Sequence, residues 1–185
     1  MFDLGSAARE MSRLVAGVRD DQLRGPTPRP DWTVADLLAH VAQFTAVFTA
    51  NARRQDVRPP DRLVDDWRDS LPHALAELAQ AWREESAWRG RVSAGGVEMD
   101  ASANAVVAIE ELTTHAWDLA RATGQDVAVT GVQLDEVDRF FHIFAPQIAS
   151  GKGPFGPPVD PPERASRLES TIARTGRDPG WTAEV

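Results

Sequence analysis

The chain has no cysteine. That one absence removes disulfides, thiolate metal sites and a catalytic Cys, so any metal has to be held by nitrogen and oxygen ligands. It also fits a reducing compartment. Lysine is nearly missing too. Lys152 is the only one, so arginine supplies the basic charge, a bias that with the abundant Ala, Gly and Pro reads as codon composition of a GC-rich genome. Positive charge is short overall, with 20 Lys and Arg against 28 Asp and Glu and a formal net charge of -8. Such a surface repels phosphate backbones, and no local basic patch stands out, which argues against a nucleic-acid partner. No apolar run approaches the roughly 20 residues needed to cross a bilayer. The start, MFDLGSAAREMSRL, carries acidic residues early and lacks the apolar core and cleavage site of a signal peptide. No membrane association and a cytoplasmic location are expected.

What is present suits a globular protein. At 185 residues, with 42% hydrophobic and 26% charged residues, the chain can bury one sizeable core but not two. A single domain over 1–185 is expected, with the tail 151–185 packing on it. Leu4, Met11, Leu14, Val15 and Val18 give a helical apolar face over about Asp3–Leu23, ending at Gly25-Pro26. GPTPRPDW is too proline-rich for a helix and reads as a rigid connector. A second helix starts at Thr33, a natural N-cap with Asp36 in the first turn, and carries Val34, Leu37, Leu38, Val41, Phe44 and Phe48. A third pattern runs from Asp61 through Trp67, Leu71, Leu75, Leu78 and Trp82, with Pro72 expected to restart or kink it. The stretch Ser86–Met99 reads as a loop or short extended piece. A fourth helix spans about Ala101–Ala122 and stops at Gly124. A fifth covers about Leu134–Ala149, then an extended tail beginning GKGPFGPPVDPP leads to a short helix over Pro162–Arg174. No alternation is long enough to build a sheet. The fold class is therefore all-α, an antiparallel four-helix bundle with an extra C-terminal helix and an extended tail.

Two polar residues sit on or beside the apolar stripe of the fourth helix, which is Ala105, Ala108, Leu112 and Leu119. Glu111 and His115 are four residues apart and share a face. A carboxylate aimed at a core costs several kcal/mol unless it is paired. An i, i+4 Glu–His pair can aim a carboxylate and an imidazole at one point, which is what a metal needs. His40, flanked by Leu37, Val41 and Phe44, offers a third ligand from the second helix. Two imidazoles and one carboxylate suit Zn, Ni, Fe or Mn, and ligand type alone does not choose among them. Beside this stands a plainer reading, in which His40 and His115 are satisfied core histidines and Glu111 pairs with an arginine or with His115. His73 and His142 read as solvent-exposed groups, and Asp65, Asp66 and Asp69 as a solvated helix face. The six Trp residues read as core or rim. Asp118 offers either a hydrogen bond that orients His115 or a surface salt bridge. GKGPFG lacks the Ser/Thr and spacing of a phosphate-binding loop.

The run PTPRPDWTVADLLAHV resembles the first metal-ligand motif of the DinB-like, mycothiol-dependent maleylpyruvate isomerase N-terminal family. That motif reads Pro-Thr-Pro-Cys, then Trp-Thr-Val, then Leu-x-x-His. EELTTHAWDLARATGQD resembles the second motif, Glu-x-x-x-His followed by Trp-Asp-Leu-Ala-Arg-Ala-x-Gly. The ending, FGPPVDPPERASRLESTIARTGRDPGW, is similar to the tail of an uncharacterised actinobacterial metal-binding subgroup. The resemblance implies that His40, Glu111 and His115 are the ligands of one divalent metal, Zn foremost, with water completing the shell. It implies a low-molecular-weight thiol such as mycothiol, attack of its thiolate on a small electrophile, and S-transfer or isomerisation as the outcome. Homodimers are common among such bundles. Arg29 stands where the family often has Cys, and a chain without the separate C-terminal domain of the true isomerases is expected, which argues against maleylpyruvate isomerisation itself. Two other functions fit the same residues: a hydrolase using metal-activated water, and a non-catalytic metal-binding or stress protein.

Overall fold

The computed structural model describes residues 1–150 and 155–183. Four helices form the body: α1 (Gly5–Ala16), α2 (Val34–Arg53), α3 (Trp67–Ala81) and α4 (Ala101–Thr123). α1 and α2 each pack on both α3 and α4, so the order around the bundle is α1, α3, α2, α4. Met11 and Leu14 of α1, Leu37 and Leu38 of α2, Leu75 and Leu78 of α3 and Ile109, Leu112 and Leu119 of α4 are fully buried between them. Trp82, just past α3, is buried and donates its indole N–H to the Phe48 carbonyl at 3.1 Å, so its polar edge is satisfied inside the core. Among the described residues, no helix is long and apolar enough to cross a membrane.

The helix ends follow local chemistry. The Thr33 hydroxyl accepts from Asp36 N, and the Asp36 carboxylate accepts from Thr33 N, a reciprocal cap that fixes where α2 begins. α4 stops at Gly124, whose φ of 68° is the left-handed conformation glycine adopts freely. α1 is shorter than its apolar pattern suggests. It ends at Gly17, where a Cβ would collide with the Gln125 side chain that donates to the Leu14 carbonyl, and Asp20–Gln22 form only a 3₁₀ turn. Residues 61–66 are not helical either, and α3 starts at Trp67 and continues through Pro72.

The stretch read as a loop holds a two-stranded antiparallel hairpin, β1 (Arg91–Ala94) and β2 (Val97–Asp100), joined at Gly95-Gly96. Both glycines have positive φ, as a tight two-residue connection requires. The expected fifth helix is divided at Phe144 into α5 (Gly131–Ile143) and α6 (Ala145–Ala149), with Pro146 in the first turn of α6, where a missing N–H costs nothing. α5 packs on α4. The final helix is α7 (Arg167–Arg174), shorter at its start than expected, and it packs on α5 with Ile172 and Ala173 buried. The start of the GKGPFG run, residues 151–154 with Lys152, lies outside the described residues.

Candidate metal centre

α2 and α4 pack against each other, and this contact brings His40 to the pair on α4. Glu111 Oε2 lies 3.2 Å from His40 Nε2 and 3.1 Å from His115 Nε2. One donor atom from each of the three residues falls within a sphere where all lie within 4.8 Å of one another, close enough to meet on a single ion. His115 is buried, while the His40 and Glu111 side chains keep 29% and 21% of their exposure, so the cluster is open on one side. A groove of about 550 Å³ leads away from His40 over Trp32, Ala35, Ala39 and Gln43.

The other ring nitrogen of His115 is spoken for. Its Nδ1 lies 2.8 Å from Asp118 Oδ2, one further turn along α4. With the proton on Nδ1, the lone pair of Nε2 faces Glu111 and His40, the tautomer a metal ligand needs. Asp118 is 0% exposed and is itself held by Arg177, whose Nε and Nη2 donate to Oδ1 and Oδ2 at 2.8 Å each. Asp118 therefore orients His115 as one reading had it, and the surface salt bridge of the other is corrected: its ion pair with Arg177 is buried. The tail reaches α4 a second time where Arg121 donates to the Pro179 carbonyl at 2.7 Å.

Electrostatics follow from this packing. Burial works to raise the Glu111 carboxyl, but the hydrogen bonds from His115 and His40, with their charge, hold it below the usual carboxylate range. Burial works to lower His115, and the hydrogen bonds to Asp118 and Glu111 overcome it, raising the imidazole to about 9. A cation and a proton thus compete for the same Nε2. For Asp118, burial is outweighed by the Arg177 charge and by its two hydrogen-bond partners, and the carboxyl stays ionised below its ordinary value.

Aromatic rings wall the cluster. Trp32 lies 5.0 Å from the His40 ring and stacks on His115 at 6.1 Å, while Phe44 lies 5.6 Å from His40 and stacks on His115 at 6.2 Å. The rigid connector places Trp32. Thr27 N donates to the Trp32 carbonyl, and Val34 N and Ala35 N reach back to Gly25 and Leu23. Arg29, Pro30, Asp31 and Trp32 close a turn with Trp32 N on the Arg29 carbonyl at 3.3 Å, Pro at the second position and a φ of 64° at Asp31. That turn lays the Arg29 guanidinium over the Trp32 ring at 4.0 Å.

Some candidates stay outside. His73 and His142 are exposed, as are Asp65, Asp66 and Asp69. Sequence reasoning missed Arg177, the Arg29–Trp32 stack and Glu110. Glu110 is buried on another face of α4 and accepts from the Thr114 hydroxyl at 2.7 Å. Burial, with the neighbouring Glu111 charge, pushes its carboxyl up to about 8.

The family model described as the mycothiol maleylpyruvate isomerase N-terminal domain matches residues 4–60 and 44–120 of this chain. The chain belongs to that family. Those matched segments contain His40, Glu111 and His115, and the match agrees with the resemblance carried by the two motifs. An uncharacterised protein of Mycobacterium tuberculosis, found in two strains, is 31% identical to this family member over 174 residues, covering 89% of this chain and 91% of its own. Two crystal structures share the fold at 22% identity, each covering 80% of this chain and 70% of theirs. They are the mycothiol-dependent maleylpyruvate isomerase, with a TM-score of 0.54, and a histidine-to-alanine mutant of it, with a TM-score of 0.57.

Proposed function

We propose that His40, Glu111 and His115 hold one divalent cation, with Zn foremost and Ni, Fe and Mn as the other fits to this donor set. On this reading the protein is a thiol-dependent transferase or isomerase acting on a small electrophile, with mycothiol or a similar low-molecular-weight thiol as cosubstrate. The observation that carries it is the convergence of two imidazole Nε2 atoms on one Glu111 oxygen, beside an open groove, in a chain of this family. When bound, the cation supplies Lewis acidity that favours the thiolate of an incoming thiol. The chain's own residues do the rest. Asp118 takes the Nδ1–H of His115 and holds that ring with Nε2 turned to the cluster. Arg177 keeps Asp118 ionised so that it stays an acceptor. Trp32 and Phe44 pack against the imidazoles and screen them from water on the sides away from the groove. The same reading keeps the protein in the cytoplasm, where small thiols stay reduced.

The test is elemental analysis of protein purified without a histidine tag. About one Zn, Ni, Fe or Mn per chain is expected, with loss of the metal in His40→Ala and in His115→Ala while far-ultraviolet circular dichroism keeps the helix signal. Stoichiometric metal retained in both variants would sink the ligand assignment. With the metal in place, turnover of an electrophile that requires added thiol supports the transferase or isomerase reading. Turnover without thiol replaces it with hydrolysis by activated water.

A further inference from the structure

Arg29 is half-buried beside the cluster, yet its guanidinium has no hydrogen-bond or ion-pair partner among the described residues. Burial, and then the Arg177 cation, hold it below its ordinary value, while Asp118 and Glu111 pull the other way, so all three charged neighbours of the centre act on it. A half-buried arginine without a carboxylate is costly to keep, and the other buried arginine here, Arg177, is fully paired. Stacking does not satisfy it. The guanidinium carbon lies 4.0 Å over the indole centroid, and a ring face takes none of the guanidinium N–H groups as a carboxylate would, which leaves them for a bidentate acceptor. The turn through Pro30 and Asp31 fixes this arrangement before any ligand arrives.

We propose that Arg29, laid on Trp32, is the recognition subsite for a carboxylate on a small ligand whose other end reaches the His40–Glu111–His115 cluster. A monoanionic carboxylate fits better than a phosphate dianion, because the groove beside His40 carries three carboxylates, Asp31, Asp36 and Asp61, against the single cation Arg62. Only the second half of this inference rests on the metal reading; the Arg29 subsite stands on the connector alone.

The experiment is a ¹⁵N NMR titration of the Zn-loaded protein with 3-mercaptopropionate and, separately, with its neutral amide, followed at the Arg29 Nε–H and the Trp32 indole N–H. The acid binds about tenfold or more tightly than the amide, and Arg29→Gln removes that preference while leaving amide binding as it was. A preference that survives Arg29→Gln overturns the subsite. Inorganic phosphate moving the Arg29 signal at lower concentration than the acid replaces carboxylate with phosphate and overturns the ligand class. The same titration on metal-free protein keeps the two readings apart. If no Zn is retained but the acid still moves Arg29 in preference to the amide, only the metal reading falls. If Zn is bound and Arg29 stays silent, only the subsite falls.

Discussion

Replacing Arg177 with Met removes a charge from one of the most buried ion pairs in the molecule. Asp118 is 0% exposed and Arg177 7%, and two hydrogen bonds of 2.8 Å join them. Taking one partner from such a pair strands a carboxylate without solvent, which costs about 3–5 kcal/mol. The lower end applies, because the Nδ1–H of His115 remains as a donor to Asp118. For a domain of this size each kcal/mol moves the melting temperature by about 2–4 °C, so Arg177→Met should melt roughly 6–12 °C below the parent. Thermal and urea denaturation followed by circular dichroism on metal-free protein reads this directly. Asp118→Asn in the Arg177→Met background removes the stranded charge while keeping an acceptor for His115, so the double variant should regain part of the loss. An Arg177→Met protein within about 0.5 kcal/mol of the parent would refute the buried-pair argument. A double variant less stable than Arg177→Met would refute the stranded-charge account.

Two further substitutions test helix ends. Thr33→Ala removes the side-chain acceptor for Asp36 N and should lower stability by about 1 kcal/mol in urea denaturation, with no change if the cap is immaterial. Gly124→Ala meets nothing within 4 Å of the added Cβ, so its cost is confined to the left-handed backbone, about 1–2 kcal/mol, and equal stability there would contradict the αL stop.

What the sequence reveals well is whatever one helix can carry. The Thr33 start, the Gly124 stop and the shared face of Glu111 and His115 all follow from spacings of three or four residues, and the structure keeps each of them. His40 joins them because its own helix has an unmistakable apolar face. Features set by contacts distant in sequence stay hidden. Nothing periodic links Asp118 to Arg177, 59 residues away, so the carboxylate remained ambiguous until the tail was placed. At the end of α1, Gln125, more than 100 residues away in sequence, packs over Gly17 and donates to the Leu14 carbonyl. The hairpin strands are four residues each, too short for alternation to be read, and only the paired glycines hinted at their turn. Glu110 carries no signal in the helical spacing, and its burial comes from packing that the sequence does not display.

The placement of Glu111, His115 and Asp118 on one helix face bears on how this chain can diverge. An insertion or deletion of one residue between them turns everything beyond it by about 100°, moving a donor out of the cluster and the apolar stripe out of the core in one step. Point changes are filtered residue by residue, whereas length changes in α4 are ruled out by geometry. The stretch 55–60 between α2 and α3, ahead of the groove-lining Asp61, carries no such phase relation to the cluster and tolerates a change in length. Drift in length among relatives should therefore gather in that connection and in the hairpin turn, leaving the interval from 111 to 118 fixed.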